Sequence, residues 1–243
     1  MSAVSVTDST VSIREARRGS TPTTALQSIH VQPIPFVAAR QIIEKHHYLH
    51  SMPGATKLAF GVLLDGRLRG AIIFGSGPAN AHRLVRGVDQ SEYLALTRLW
   101  LSDELPSNSE SRIIGISLRA IKKNTSVKFL VSYADPSQGH LGTIYQATGW
   151  LYTGLSEAMP VFDLGDGRTQ HSRTFSHAFG SHSVKYLKSQ GIKIKVIPQP
   201  GKHRYIYFLD QSYRERLTVP VLPYPKKGLV HGIGRCKSTA FSP

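Results

Sequence analysis

The chain alternates between segments of period two and segments of helical period. I-H-V-Q-P at 29–33 alternates and predicts a short first strand. In P-F-V-A-A-R-Q-I-I-E-K-H-H-Y-L, Val37, Ile42 and Ile43 fall at helical spacing, and Pro35 is able to open the helix. The S-M-P-G turn at 51–54 stops it. K-L-A-F-G-V-L-L and R-L-R-G-A-I-I-F predict two apolar strands around Asp65-Gly66, a dipeptide that favours a tight hairpin. After a polar loop at 75–91, Y-L-A-L-T-R-L-W-L predicts a long strand, with Leu96, Arg98 and Trp100 on one face. Ser109 or Ser111 caps a helix running to about Lys123. F-L-V-S-Y-A is almost wholly apolar, as expected of a strand covered on both faces. Gly142 to Thr148 predicts a short helix stopped by Gly149, and L-Y-T-G the next strand.

The pattern weakens beyond this point. Residues 155–180 read as an irregular basic insertion rich in Gly and His. S-H-S-V-K-Y-L-K-S-Q-G predicts a helix ending at Gly191, and H-R-Y-I-Y-F-L at 203–209 a final strand. The expected organisation is a disordered Ser/Thr/Arg-rich arm over 1–27, one α/β catalytic domain over 28–210, and a basic Pro-rich tail over 211–243.

Charge adds a partner to this outline. The net charge is +15, unevenly spread. Residues 168–243 hold 14 Lys/Arg against 2 Asp/Glu, a net of +12. Such a surface suits a polyanion, and a nucleic acid is the expectation; a solubilising basic tail has the same composition. The single cysteine, Cys236, rules out a disulfide within the chain or a Cys-rich zinc site, which fits a reducing cytoplasm. No apolar run is long enough to span a membrane, and the first residues lack the apolar block of a secretory signal.

Several residue groups carry candidate chemistry, each beside a plainer reading. Asp135 ends a buried strand, where ligand crevices form in α/β sheets; Asp-Pro-Ser also starts ordinary turns. Tyr145 is a candidate proton donor or a packed core aromatic. Arg98, inside an apolar strand, needs an anion or a solvated face. His46 and His50 are four apart and, with Asp135 or His140, offer metal donors; helix-end histidines also suit the helix dipole. His171 to Phe179 and Lys202-His203-Arg204-Tyr205 interleave cations with rings. That suits phosphate contact and base stacking through Arg173, Lys202, Arg204 and Tyr205, or a basic strand with a buried aromatic face.

The order strand, glycine-bearing helix, strand ending in Asp135, short helix with Tyr145, strand resembles the central half of the GNAT acyltransferases. The implied fold is a mixed central sheet flanked by helices, with a basic C-terminal extension. Arg112-Ile113-Ile114-Gly115-Ile116-Ser117 resembles the pyrophosphate loop of that family, which makes Arg112, Gly115 and Ser117 candidate cofactor contacts for acetyl-CoA or another acyl donor. Ser117 departs from the small residue usual there. Tyr145-Gln-Ala-Thr-Gly149-Trp150 is similar to the helix whose tyrosine protonates a departing thiolate.

His47-Tyr48, L-T-R-L-W, S-R-I-I-G, Y-A-D-P-S-Q-G-H and I-Y-Q-A-T-G-W, in this order, resemble the Mom DNA-modification proteins of Mu-like phages over roughly residues 30–210. That resemblance implies conversion of adenine in double-stranded DNA to N6-carbamoylmethyladenine, which shields phage DNA from host restriction. It implies an active site of His47, Tyr48, Arg98, Ser111, Asp135 and Tyr145, and an association with iron whose ligands the sequence does not name. The other enzyme class open to the sequence is a conventional N-acetyltransferase acting on an RNA-linked or small amine. A DNA-binding protein on an inactive acyltransferase scaffold is the non-enzymatic one.

Overall fold

The computed structural model describes residues 29–163, 169–171, 180 and 183–226. The expected N-terminal arm, Arg173 and Cys236 lie outside the described residues. The elements are β1 (Ile29–Pro33), α1 (Phe36–His46), β2 (Thr56–Leu64), β3 (Arg67–Gly75), β4 (Tyr93–Leu101), α2 (Ser109–Asn124), β5 (Phe129–Ala134), α3 (Thr143–Gln146), β6 (Leu151–Leu155), β7 (Val161–Asp163), β8 (Thr169–His171), α4 (Val184–Ser189), β9 (Lys195–Ile197) and β10 (His203–Phe208).

Seven strands form one mixed sheet in the order β1-β2-β3-β4-β5-β10-β6. Only β4 and β5 pair in parallel; every other neighbour is antiparallel. The β2–β3 hairpin turns at Asp65 (φ 51°) and Gly66 (φ 76°), the left-handed pair that the dipeptide predicts.

Helix α2 repeats Ile113, Ile114, Leu118 and Ile121 along one side and packs them on Phe60, Val62, Ile72, Phe74 and Leu130 of the sheet. On the opposite face, α1 buries Ala39 and Ile43 against Ala59, Ala71 and Ile73. Beside it, Tyr93, Phe129, Ile206 and Phe208 pack under the segments around Val85 and Leu217. With both faces covered, each fully buried large apolar side chain contributes about 1.5–3 kcal/mol.

Four expectations are corrected. The cap of α2 is Asn108 in the left-handed conformation (φ 66°), not Ser109 or Ser111; the hydroxyls of both serines bond back to carbonyls of the preceding turn. The insertion over 155–180 is not wholly irregular: β7 pairs with β8 and with β9 in a second, three-stranded sheet. Strands of three residues are too short to show a period. The basic tail does not begin as a free segment at 211, because Gln211–Arg216 forms a 3₁₀ turn and the chain then crosses the sheet. Leu222 N–H bonds to the Tyr152 carbonyl and Tyr224 Oη to the Trp150 carbonyl, both at 2.8 Å. Finally, β4 carries a bulge. Phe74 faces Leu96 and Ile73 faces Arg98, which leaves Thr97 as the extra residue. Leu96 therefore points into the α2 side, whereas Arg98 and Trp100 lie on the α1 side, so the three do not share a face.

Candidate active site

The parallel ladder between β4 and β5 runs from Tyr93–Phe129 only to Leu96–Ser132. Beyond it β4 continues to Leu101 and β5 to Ala134 without pairing each other. The Thr97 bulge turns β4 away where the ladder ends, and the gap it opens lies at the carboxyl ends of the two strands. Crevices of this kind are where open α/β sheets bind ligands.

Asp135 follows the last residue of β5. Its Oδ1 accepts from the Ser137 N–H (3.0 Å) and hydroxyl (2.6 Å), and its Oδ2 stands 2.8 Å from Lys202 Nζ. Burial works against ionisation, but the bonds from Lys202 and Ser137 outweigh it and hold the carboxyl below its ordinary range. Lys202 is fixed by the chain around it. Its N–H bonds to Ser156 Oγ (3.0 Å) and its carbonyl accepts from Ser156 N–H (2.8 Å). Gly201 permits this approach: a Cβ there would lie 2.0 Å from the Ser156 carbonyl oxygen.

Arg98 enters from the bulge. Its Nε donates to the Ser51 carbonyl (3.1 Å) and Nη1 to the Thr97 carbonyl (2.7 Å), and among the described residues no carboxylate pairs with it. Burial lowers its pKa while the Tyr48 phenol, close enough to be felt as a charge, acts the other way. His47, at the end of α1, is buried. Its Nδ1 accepts the Leu49 N–H at 3.1 Å, so the neutral ring carries its proton on Nε2. Burial, with the charges of Arg98, His140 and His50, pulls its pKa from 6.5 to about 4. Tyr48 stacks on His47 with ring centres 4.5 Å apart, meets His140 edge-on at 5.7 Å, and has its pKa raised by burial and then by Asp135.

Tyr145 is buried between Trp150 and Tyr205, with ring centres at 5.3 and 5.2 Å. Burial pushes its phenol up to about 12 against a hydrogen bond with Ser132, and Tyr48 adds to the rise. It is a proton donor at neutral pH and no base. Ser132 in turn donates to the Leu96 carbonyl (2.9 Å), at the last rung of the ladder.

Five of the six expected active-site residues, His47, Tyr48, Arg98, Asp135 and Tyr145, are thus linked by contact or by field around one gap. Ser111 is not joined to them by any hydrogen bond among the described residues; it sits in the first turn of α2 with its hydroxyl on the Asn108 carbonyl (3.0 Å). Arg112 is exposed, and a Cβ on Gly115 would meet only Arg119 Nη1 at 3.6 Å, so that side of α2 is open. Ser117 is corrected as a cofactor contact. It has no exposed surface, being two residues further round the helix, and among the described residues its Oγ has no hydrogen-bond partner.

The expected DNA contacts of the last strand are also revised. Tyr205 has no exposed surface: its hydroxyl donates to the Leu141 carbonyl and accepts from Gln146 Nε2 (3.0 Å), so it stacks on no base. Arg204 is anchored on Thr153, through Nε to Oγ1 (2.9 Å) and Nη2 to the carbonyl (3.0 Å), and keeps its other N–H groups. Lys202 serves Asp135. The sequence reading missed that pairing, and its one visible sign is the Gly-Lys-His step that opens β10.

Among the described residues, no group of three or more His, Cys, Asp or Glu is arranged to hold a metal ion. The candidate donors make separate contacts. His46 stacks on Trp100 at 4.2 Å, His50 Nδ1 donates to the Glu44 carbonyl (3.0 Å), His47 Nδ1 is taken by Leu49, and Asp135 is held by Lys202 and Ser137. Among the described residues these side chains are not gathered into a donor set for the iron that the resemblance implies. Among the described residues, no helix is long and apolar enough to cross a membrane.

Comparison with known proteins places these observations. The methylcarbamoylase mom of Escherichia phage Mu is 32% identical over 207 residues, covering 82% of this chain and 85% of that one. A GNAT family N-acetyltransferase from Escherichia coli, solved in complex with CoA, superposes at a TM-score of 0.44 with 13% identity over 84% of this chain and 94% of its own. The spermidine N-acetyltransferase of Vibrio cholerae does so at 0.43 with 8% identity, over 77% and 98%. The fold itself is a mixed seven-stranded sheet flanked by helices. The model of the Mom protein family matches residues 28–226, and the chain belongs to that family.

Proposed function

We propose that this chain is a transferase that modifies adenine in double-stranded DNA, forming N6-carbamoylmethyladenine and so protecting phage DNA from host restriction inside the host cell. The observation that carries this reading is the gathering of His47, Tyr48, Arg98, Asp135 and Tyr145 at the gap between β4 and β5 in a member of the Mom family. The phage Mu relative is named a methylcarbamoylase, a group isomeric with carbamoylmethyl, which supports transfer of a unit of that composition.

The roles follow from the chemistry of the side chains. Adenine N6 is inside the duplex, so the base leaves the stack before it reacts. Its exocyclic amine is a poor nucleophile until it sheds a proton. As the N6–carbon bond forms, that proton becomes strongly acidic, and even a carboxylate of low pKa accepts it. Asp135 stays ionised throughout the neutral range and takes the N6 proton. Tyr145, protonated at neutral pH, gives a proton to the group that departs from the donor carbon. Arg98 keeps N–H groups beyond its two backbone bonds to hold a phosphate or the flipped nucleotide. Tyr48, half-exposed over His47, stacks on the base. The product is an alkylated amine, whereas acetyl transfer yields an amide. The donor is therefore an electrophilic carrier of a carbamoylmethyl group rather than acetyl-CoA alone.

The test is expression in bacteria followed by mass spectrometry of nucleosides from host DNA. A deoxyadenosine derivative with the mass of a carbamoylmethyl adduct is expected, together with resistance to restriction enzymes whose sites contain adenine. N-acetyl deoxyadenosine supports a conventional acetyltransferase instead. Unmodified DNA with an acetylated RNA or small amine rejects the DNA reading.

A further inference from the structure

Resting on the adenine reading above, we infer that Leu49 is the wedge that opens the duplex: its side chain enters the base stack and fills the place left when the target adenine turns into the gap. An enzyme that reaches N6 of a paired base has to compensate the missing stacking, and proteins that unstack DNA do so with an apolar side chain held out from the surface. Such a side chain needs three properties: exposure, a rigid base and a place at the rim of the reacting site.

Leu49 has all three. It is 43% exposed, and its neighbour Tyr48, whose ring stacks on His47, is 46% exposed. The backbone that carries it is tied down at four points. Leu49 N–H bonds to His47 Nδ1 (3.1 Å), and His50 N–H bonds to the His47 carbonyl (2.8 Å). His50 Nδ1 donates to the Glu44 carbonyl (3.0 Å), and Arg98 Nε donates to the Ser51 carbonyl (3.1 Å). His50 is held at φ 43°, in a region that residues with a side chain rarely adopt. A loop with no task beyond joining α1 to β2 has no use for that arrangement. Its effect is to fix Leu49 beside Tyr48, whose ring meets His47 and His140 at the mouth of the site. Tyr48 receives the displaced base and Leu49 replaces it.

The experiment compares wild type, Leu49→Ala and Leu49→Phe in two readouts. One is the modified adenine content of host DNA. The other is the fluorescence of 2-aminopurine placed at adenine positions of a duplex oligonucleotide and titrated with purified protein, which rises when the base unstacks. Leu49→Ala is expected to lower modification on the order of tenfold or more and to abolish the fluorescence rise, while Leu49→Phe retains most of both. Thermal melting checks that both variants fold. Full modification by Leu49→Ala overturns the inference. So does abolished modification with an undiminished fluorescence rise, because Leu49 then serves the chemistry and not the opening. Wild-type protein that leaves no modified adenine overturns the adenine reading itself, and that failure is visible before any variant is made.

Discussion

The ammonium of Lys202, at the start of β10, stands 2.8 Å from Oδ2 of Asp135, at the end of β5. The two residues are 67 positions apart and meet because β10 inserts between β5 and β6, placing His203 opposite Ala134. The pair sets the charge state of the carboxylate. Asp135 is held below its ordinary pKa, so its ionised form adds stability that is present above the ordinary carboxylate range and is lost as pH falls through the lowered value. In Lys202→Met, burial acts with only the Ser137 bonds against it, and the carboxyl titrates at higher pH. Following the Asp135 carboxyl carbon by NMR through the acid range is expected to show that upward move; an unchanged titration would remove Lys202 from the account.

The acid–base roles have their own signature. Asp135→Asn and Tyr145→Phe keep volume and remove the groups that move protons. Tyr145 lies between Trp150 and Tyr205, and phenylalanine preserves those ring contacts. Modified adenine in host DNA is expected to fall by about 10²–10⁴-fold in each variant, the scale of general acid–base catalysis, with DNA affinity near wild type; Tyr145→Phe keeps its melting temperature, and Asp135→Asn, which gives up the ion pair with Lys202, melts lower but still folds. Wild-type levels of modification in both variants would sink the assignment.

Much of this was legible in the sequence, and the failures share a cause. Alternating or continuously apolar runs located every strand of the seven-stranded sheet, and Asp65-Gly66 located its hairpin, because these patterns and turn chemistry are local. Strand order is not local. Nothing in H-R-Y-I-Y-F-L says that it lies between β5 and β6, and that placement is what buries Tyr205 and brings Lys202 to Asp135. The bulge at Thr97 is equally silent in the sequence, since L-A-L-T-R-L-W-L reads as an unbroken strand whose faces are then assigned wrongly beyond residue 97. Family resemblance named five residues that the fold does gather. Ser117, expected from a loop resemblance, and Tyr205, expected from its residue type, are buried, and neither signal says which face a residue takes.

His47 makes a prediction about pH. Its folded pKa, about 4, lies below the 6.5 of a free imidazole, so the unfolded chain binds the extra proton first. The neutral ring therefore adds stability that is fully present above pH 6.5 and is lost as pH falls toward 4. The full effect is on the order of 2–3 kcal/mol. His47→Gln has no such proton to take up, and its melting temperature is expected to fall less steeply than that of wild type across that window. Nitrogen NMR of the wild-type ring is expected to show the Nε2–H form at neutral pH, and an Nδ1–H ring would contradict the bond from Leu49.

Within the basic stretch over 168–243, we propose that the contact with DNA falls on the lysines of α4 and β9. Tyr205 is buried, Arg204 is anchored on Thr153, Lys202 pairs with Asp135, and Arg173 lies outside the described residues. Residues 167–209 contain no Asp or Glu, and within them Lys185, Lys188, Lys193 and Lys195 are exposed on α4, β9 and the turn joining them. Excess charge without acidic neighbours attracts phosphates, and each phosphate neutralised releases counterions from the duplex. Replacing these four lysines with glutamine is expected to weaken duplex binding about equally for all sequences. It is also expected to flatten the plot of log affinity against log salt by about 0.9 for each phosphate no longer neutralised. The second sheet packs Phe162 and Leu187 with Val184, Ile192 and Ile194, none of them altered, so folding should persist. A salt slope equal to that of wild type would move the phosphate-binding surface elsewhere. A selective weakening on some sequences only would mean that the lysines read bases and do not simply hold the backbone.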